Sequence, residues 1–225
     1  MLDVHSFTVG PVAENCYIVG PSGSSHAIVI DPGEEAPRLI AAIDRLGLTI
    51  DAILLTHTHF DHVGAVAPLA AHTHAPVWCP ELERDVLADI NAYVPWPGFG
   101  PFDSYDADHL LAGGEHLQLA GLDIDVLFTP GHSPGHLTFA IQADDALFAG
   151  DVLFHGSIGR TDLPGGDLNV LLDSIALLLD RYPDHATVHP GHMGPTTLGA
   201  ERRHNPFLRE LPARTTPADP AASDA

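Results

Sequence analysis

The stretch Thr56-His57-Thr58-His59-Phe60-Asp61-His62 decides the fold of this chain, because four potential metal ligands fall within seven residues. It begins directly after Ile53-Leu54-Leu55, a short apolar run that predicts a buried strand. Side chains alternate along an extended segment, so we expect His57 and His59 to point the same way. The last two residues of the stretch come where a turn would direct them toward a second ion. A metal site at the end of a buried strand is therefore predicted.

Three further segments place a potential ligand directly after a predicted strand, and all three contain glycine. They are Thr129-Pro130-Gly131-His132, Ala149-Gly150-Asp151 and His189-Pro190-Gly191-His192. Glycine allows close backbone approach and unusual dihedral angles beside a site. Ligands of open α/β sheets collect at strand ends, so we expect the four segments to converge on one rim.

Seven side chains form the candidate ligand set, five imidazoles and two carboxylates, which zinc, manganese and iron all accept. A single histidine is more often a core or surface residue, and the chain has 16 of them. We assign His72 and His74, for example, to the surface. The candidate set depends on position at strand ends rather than on counting. Its members are His57, His59, Asp61, His62, His132, Asp151 and His192.

Composition narrows the functional classes. Of the 225 residues, 45% are hydrophobic, which is enough to bury a core. A formal charge of −21, with nine arginines and no lysine, opposes binding to nucleic acid or to an anionic membrane surface. No apolar run approaches the ~18 residues that span a membrane, and the N-terminus lacks the pattern of a secretory signal. Cys16 and Cys79 are too few for a disulfide framework, which is typical of a cytoplasmic protein with reduced thiols.

Apolar patterning predicts alternating strands and helices in one domain over residues 1–211. Predicted strands cover 2–8, 16–19, 26–30, 53–55, 122–128, 139–141, 146–149 and 186–188. Helices are predicted over 39–46 with Gly47 as the stop, from His62 or just after it to about residue 70, over 168–179, and over 198–204. Residues 212–225 have no apolar pattern, and we predict a disordered tail there.

The ligand pattern resembles that of the metallo-β-lactamase fold superfamily. Within it, the chain is similar to short glyoxalase II-like hydrolases over about residues 1–210. Two further stretches are typical of this short type: Gly150-Asp151-Val152-Leu153-Phe154-His155-Gly156-Ser157-Ile158-Gly159-Arg160-Thr161-Asp162 and Asn205-Pro206-Phe207-Leu208. The resemblance implies an α/β fold, a four-layer αβ/βα sandwich.

The resemblance also implies how the ligands are divided between two divalent ions. It assigns the first ion to His57, His59 and His132, and the second ion to Asp61, His62 and His192. It makes Asp151 the bridge between them. Zinc is the first choice of metal, with iron or manganese as alternatives.

The implied activity is hydrolysis of a small thioester of the S-2-hydroxyacyl-thiol type by a metal-bridging hydroxide. Asp61 and Asp151 are the candidate catalytic residues, because they would bind metal and position that hydroxide. Arg160 is a candidate substrate contact, since it falls where the family has a basic residue near the carboxylate of the thiol carrier. An ion pair with Asp162 or Asp167 is the other interpretation of Arg160.

Tyr93 is the second candidate substrate contact, at the start of an aromatic stretch, residues 93–102, rich in proline and glycine. This stretch could wall the site and offer an acyl group an apolar surface, or it could simply pack onto the core or another subunit. His136 and His189 could orient ligands or pack their loops. The short helix predicted over 198–204 replaces a larger helical region of glyoxalase II, which leaves the thiol carrier open.

The alternative function is an iron-dependent persulfide dioxygenase of the same fold, because enzymes of that kind carry a stretch similar to residues 156–162. It would use one iron and part of the ligand set, so the complete set favours the hydrolase. A β-lactamase is disfavoured because Asp151 is not that group's usual ligand, and a nuclease is disfavoured by the negative charge. A non-enzymatic metal-binding module would not need every ligand position filled.

Overall fold

A computed structural model gives the structure of residues 1–94 and 96–209. Residues 212–225, predicted to form a disordered tail, lie outside the described residues, and so does Pro95 of the aromatic stretch. The division into one domain over 1–211 and a tail therefore stays a prediction. Among the described residues, no helix has both the length and the apolar character needed to cross a membrane.

Two six-stranded sheets and a small hairpin make up the β structure of the described residues. The first sheet contains, in spatial order, β1 (Leu2–Val9), β2 (Glu14–Pro21), β3 (His26–Ile30), β4 (Thr49–Leu54), β5 (Val77–Pro80) and β6 (His109–Leu111). The second sheet contains β7 (His116–Leu119), β8 (Leu122–Phe128), β9 (Leu137–Ile141), β10 (Ala146–Gly150), β13 (Thr187–Pro190) and β14 (Thr196–Thr197), in the order β14-β13-β10-β9-β8-β7. The hairpin is β11 (Leu153–Phe154) with β12 (Ser157–Ile158).

Helices cover the outer faces of both sheets. The helices are α1 (Ala36–Leu46), α2 (Phe60–Val63), α3 (Val66–Thr73), α4 (Arg84–Ala88), α5 (Leu168–Arg181) and α6 (Leu198–His204). Leu39 of α1 and Leu69 of α3 pack in one buried cluster with the first sheet. Leu171 of α5 and Leu198 of α6 pack in another with the second sheet.

A third buried cluster lies between the two sheets, and strand alternation explains why each sheet can bury both faces. Val29 belongs to the outer cluster of the first sheet, whereas Ile28 and Ile30 belong to the middle cluster. In the second sheet, Leu147 faces outward and Phe148 faces the middle. Successive side chains of a strand point to opposite faces. The order helix, sheet, sheet, helix confirms the predicted four-layer αβ/βα sandwich.

Two helix boundaries show where local sequence signals are sufficient to predict a helix end and where they are not. Helix α1 ends where predicted, because Gly47 adopts a left-handed conformation with φ 65° and its N–H closes onto Asp44 and Ile43 carbonyls. The prediction of one helix that begins at His62 or just after it was wrong about where the helix starts. Helix α2 begins at Phe60, since the His62 N–H already bonds to the His59 carbonyl, and α3 is a separate helix from Val66.

Candidate metal centre

Three histidines form the first group of nitrogens at the strand ends. His57 and His59 follow β4, and His132 follows β8. Their ring centroids lie 4.6–4.9 Å apart in every pairing. Each offers one nitrogen, and these nitrogens all lie within 4.8 Å of one another. The structure thus brings together the three side chains that the family resemblance assigns to the first ion.

Asp61, His62 and His192 form a second group whose ligand atoms also lie within 4.8 Å of one another. Asp151, which follows β10, lies between the groups. Its Oδ2 is 3.4 Å from His132 Nε2 of the first group and 3.5 Å from His192 Nε2 of the second. Its Oδ1 is 3.5 Å from His62 Nε2. Asp151 therefore occupies the position expected of a bridge, and the assignment of all seven as metal ligands stays a prediction.

Several buried atoms in these groups lack hydrogen-bond partners, which tests whether a metal fits. His57 Nε2, His62 Nε2 and Asp151 Oδ1 are buried and have no partner in the structure. Leaving buried polar atoms unsatisfied costs roughly 1–3 kcal/mol each. Five imidazoles and two carboxylates with open atoms at one place match the donor set that borderline divalent metals take. The residues present fit two such ions.

The other ring nitrogen of four histidines is held by a hydrogen bond, which turns Nε2 toward the centre. The His62 Nδ1–H donates to Asp31 Oδ2 at 3.1 Å, and the His132 Nδ1–H donates to the Arg160 carbonyl at 2.8 Å. The His192 Nδ1–H donates to the Ala13 carbonyl at 3.3 Å. His57 Nδ1–H donates to Thr56 Oγ1 at 3.0 Å, since the hydroxyl proton goes to Asp31.

The pKa values divide the histidines into two kinds. Burial, reinforced by neighbouring imidazoles, lowers the pKa of His57 far below its usual value and that of His59 to about 4. Burial would also lower the pKa of His62, but Asp151 and Asp61 outweigh it and raise that pKa. Burial alone would raise the pKa of Asp151, yet the facing histidines bring it down. The Asp151 carboxylate is therefore ionised and carries negative charge that would attract cations.

Glu83 connects two of the four ligand-bearing loops and was missed by sequence reasoning. Its carboxylate accepts the Thr58 N–H at 2.7 Å and the Thr58 hydroxyl at 3.0 Å, in the loop of His57 and His59. It also accepts the Ser133 hydroxyl and the Gly135 N–H, at 2.5 and 2.8 Å, in the loop of His132. Because Glu83 is 4% exposed, water does not compete for these bonds.

Asp31 and Glu14 were also missed. Asp31 lies in the turn after β3 and accepts from Thr56 and His62, so its oxygens are satisfied although they lie near metal-ligand atoms. Glu14 is fully buried, 3.7 Å from His62, and neither of its carboxyl oxygens has a hydrogen-bond partner. Burial raises the pKa of Glu14 well above its ordinary range. In the sequence, Asp31 is marked only by a turn and Glu14 only by the start of a strand, and neither signal indicates a place beside the metal ligands.

Gly191 shows why glycine stands beside the ligands. A Cβ at this position would lie 2.3 Å from Asp151 Oδ1 and 2.6 Å from the His62 ring. His136 and His189 are the two histidines that could either orient ligands or pack their loops. His136 Nε2 accepts the Asp151 N–H at 3.0 Å and so supports Asp151. His189 instead stacks on Phe148 with ring centroids 4.7 Å apart, which matches the packing interpretation.

A cavity of about 640 Å³ opens over the two groups. Five of the seven candidate ligands line the cavity directly: His59, Asp61, His132, Asp151 and His192. We refer to the seven candidate ligands together as the floor. The outer wall of the cavity comes from one segment and consists of Leu82, Val86, Ile90, Tyr93, Val94 and Trp96. Both candidate substrate contacts, Tyr93 and Arg160, line this cavity. Arg160 also forms the ion pair with Asp162, at 2.7 and 2.8 Å.

Comparison with known sequences defines the class. The sequence model of the metallo-beta-lactamase superfamily matches residues 9–192. The chain belongs to the metallo-β-lactamase superfamily, a metallo-hydrolase fold that binds divalent metals. It is 39% identical over 202 residues to a probable metallo-hydrolase, YqgX, of Bacillus subtilis, covering 89% of this chain and 94% of the relative. It is 37% identical over 209 residues to hydroxyacylglutathione hydrolase GloC of Haemophilus influenzae, covering 92% and 98%.

Solved structures agree on the fold. A crystal structure of BLEG-1 B3 metallo-beta-lactamase has a TM-score of 0.87 at 40% identity, covering 93% of this chain and 100% of that one. A di-iron-bound form of TTHA1623 has a TM-score of 0.80 at 43% identity, covering 91% and 100%. ETHE1 from Myxococcus xanthus has a TM-score of 0.73 at 27% identity, covering 91% and 83%.

Proposed function

We propose that this protein is a metal-dependent hydrolase of small thioesters, glyoxalase II-like, which converts an S-2-hydroxyacyl thiol to a 2-hydroxy acid and a thiol. The observation that carries the proposal is the meeting of two ligand groups at Asp151, with unpartnered buried atoms in both. Similarity to hydroxyacylglutathione hydrolase GloC over 92% of this chain supports the thioester class.

The proposed cofactors are two divalent ions, with zinc as first choice and iron or manganese as alternatives. His57, His59 and His132 would hold one ion, Asp61, His62 and His192 the other, and Asp151 would face both. The di-iron-bound relative supports a dinuclear centre and keeps iron among the candidates. When bound, such ions lower the pKa of a water molecule toward about 7 and stabilise charge on a carbonyl oxygen.

Asp61 and Asp151 would hold the attacking water by accepting its hydrogen bonds. Their Oδ2 atoms lie 3.3 and 3.5 Å from the same atom, His192 Nε2, so both carboxylates face one point of the cavity. The water oxygen forms the new bond to the thioester carbonyl carbon, and the carbon–sulfur bond breaks. The thiolate leaves and takes a proton derived from the water, which gives acid and thiol in equal amounts.

Metal analysis combined with a thioester assay tests the proposal. The protein is stripped with chelator, reloaded with zinc, manganese or ferrous iron, and its bound metal is measured by plasma mass spectrometry. Thiol release from an S-2-hydroxyacyl thioester is then followed without oxygen. We expect about two ions per chain, because seven ligands exceed the needs of one four- or five-coordinate ion. Absence of thiol release in every metal form would refute the proposed function.

The alternative, an iron-dependent persulfide dioxygenase, is supported by the similarity to ETHE1 at 27% identity. Oxygen uptake separates the two reactions, because hydrolysis consumes water and needs no oxygen. We expect thioester cleavage at an undiminished rate under anaerobic conditions. Stoichiometric oxygen uptake with a persulfide, together with no thioesterase activity, would favour the dioxygenase.

A β-lactam belongs in the same assay series, because this chain is 40% identical to BLEG-1, a B3 metallo-beta-lactamase. We expect no β-lactam turnover at rates near those of thioesters. A small-molecule substrate, the absence of nucleic-acid and membrane partners, and a cytoplasmic location stay predictions from composition. A non-enzymatic metal-binding module would bind metal and fail in every assay of the series.

A further inference from the structure

The outer wall of the cavity is apolar and unusually open to solvent. Leu82 is 68% exposed, Tyr93 is 56% exposed and Trp96 is 40% exposed. Single exposed apolar side chains are normal at protein surfaces. These three, however, line one cavity together with the more buried Val86 and Ile90 and with Leu163. An apolar group bound here would remove a continuous apolar surface from water.

Cationic side chains are scarce around this cavity. Among the described residues that line it, Arg160 is the only lysine or arginine. Two of its N–H groups already donate to Asp162, at 2.7 and 2.8 Å, and its guanidinium lies 5.6 Å from the Trp96 ring centroid. Asp162 therefore already compensates the charge of this guanidinium, and a carboxylate on the substrate would gain less from it than from an unpaired cation.

The net charge of the chain also disfavours the binding of an anionic substrate. The chain has no lysine and a formal charge of −21, so its long-range field repels anions. Glutathione carries two carboxylates several bonds away from its sulfur. With the thioester carbonyl at the floor, at least one of them would lie against the apolar side chains of the outer wall, where no free cation compensates its partial desolvation. Burying an unpaired charge is costly.

We propose that the preferred substrate is an uncharged thioester with an apolar arm that packs on the outer wall, rather than a glutathione thioester. This inference rests on the proposed thioester hydrolysis and specifies its substrate class. The floor acts on the carbonyl, which all thioesters share. The outer wall distinguishes the substituents, because it offers apolar contact and no free cation.

Four thioesters test the preference in turnover: the lactoyl and mandeloyl thioesters of N-acetylcysteamine and of glutathione. N-Acetylcysteamine keeps the amide and thiol chemistry but carries no charge. We expect kcat/KM to be about tenfold or more higher for the N-acetylcysteamine thioester of each acyl group, and higher for mandeloyl than for lactoyl. A glutathione thioester that is cleaved equally well or better would overturn the inference while leaving the proposed function intact.

A binding measurement separates the inference from the proposed function. S-Hexyl-N-acetylcysteamine, S-methyl-N-acetylcysteamine and S-hexylglutathione are thioethers that cannot be hydrolysed, and each is titrated into the metal-loaded protein by calorimetry. We expect the hexyl neutral thioether to bind about tenfold or more tightly than either of the others. That order, combined with no cleavage of any thioester, would reject the proposed function but keep the neutral, apolar preference. Equal or tighter binding of S-hexylglutathione would overturn the inference.

Leu82→Arg tests the outer wall itself, because Leu82 is highly exposed and a larger side chain fits there without disturbing the core. We expect the ratio of neutral to glutathione affinity to fall by about tenfold in this variant, with metal content unchanged. Leu177→Arg is the matched control, since Leu177 is 40% exposed on α5 and does not line the cavity. An equal fall in both variants would show that the outer wall does not set the preference, and the inference would fail.

Discussion

At the floor of the cavity, hydrogen bonds to neighbouring residues hold the histidines, whereas at the outer wall the side chains meet solvent. His57, His62, His132 and His192 each have one ring nitrogen tied to a neighbour. Leu82, Tyr93 and Trp96 are 40–68% exposed. The floor is assembled from four loops at the ends of strands, and the outer wall comes from a single segment.

This difference teaches how one fold can keep a reaction and change its substrate. Displacing a floor side chain breaks hydrogen bonds that reach several loops, so a change there affects metal binding as a whole. Exposed apolar side chains of the outer wall can be exchanged with little effect on the core. Specificity is therefore expected to vary at the outer wall while the chemistry of the floor stays constant.

The largest expected effect is that of Asp151→Asn at the floor. An amide loses the negative charge that faces both ligand groups, so we expect turnover to fall by about a hundredfold or more and bound metal to fall toward one ion per chain. Turnover and plasma mass spectrometry measure the two effects. Asp123→Asn is the control, because Asp123 is 59% exposed on β8. Near-normal turnover of Asp151→Asn would show that Asp151 is not the bridging ligand.

The next effect concerns the link between the ligand loops. In Glu83→Gln one oxygen becomes an amide donor, so it can no longer accept from all four groups that Glu83 holds. We expect metal affinity to weaken by about tenfold, as is typical of residues that orient ligands. Chelator competition measures the affinity, and Glu81→Gln is the matched control because Glu81 is exposed in the same turn. Equal affinities in both variants would assign Glu83 a purely structural role.

A smaller effect is expected at the outer wall. Tyr93→Ala removes an exposed ring from the cavity, so we expect KM to rise a few-fold, roughly 1 kcal/mol of binding, with metal content and kcat nearly unchanged. Steady-state kinetics and metal analysis of the same preparation provide the comparison. Loss of metal in this variant would contradict the separation between floor and outer wall.

The smallest effect is a pH response away from both regions. Burial lowers the pKa of His189 to about 4, so the folded protein keeps this ring neutral while the unfolded chain takes up a proton near ~6.5. The contribution of the neutral ring to the free energy of unfolding is therefore complete above pH ~6.5 and is lost as the pH falls toward 4. His189→Gln should therefore lose less melting temperature between pH 7 and pH 5 than the parent protein. An unchanged pH dependence of the melting temperature would contradict this assignment.

Local sequence patterns predicted much of the scaffold. Strands β9 and β10 form where strands 139–141 and 146–149 are predicted, and they pair antiparallel with Ala146 opposite Ile141. Helix α1 stops at Gly47 because a left-handed residue is a local property. The predicted start of α2 was wrong, because the His62 N–H bonds to the His59 carbonyl and so begins the helix before the apolar pattern does. Short strands such as β5 and β6 carry too few residues for an alternating pattern to show.

By itself, the sequence determined the ligand types, their spacing and their position after strands, because those properties belong to short segments. Only the tertiary structure brought Glu83 against Ser133, 50 positions away, and Asp31 against Thr56 and His62, 25 and 31 positions away. The tertiary structure also decided that Leu82, Tyr93 and Trp96 line the same cavity as His59, His132 and His192. Contacts of this kind depend on how sheets and helices pack, and no local pattern encodes which distant residue a side chain will meet.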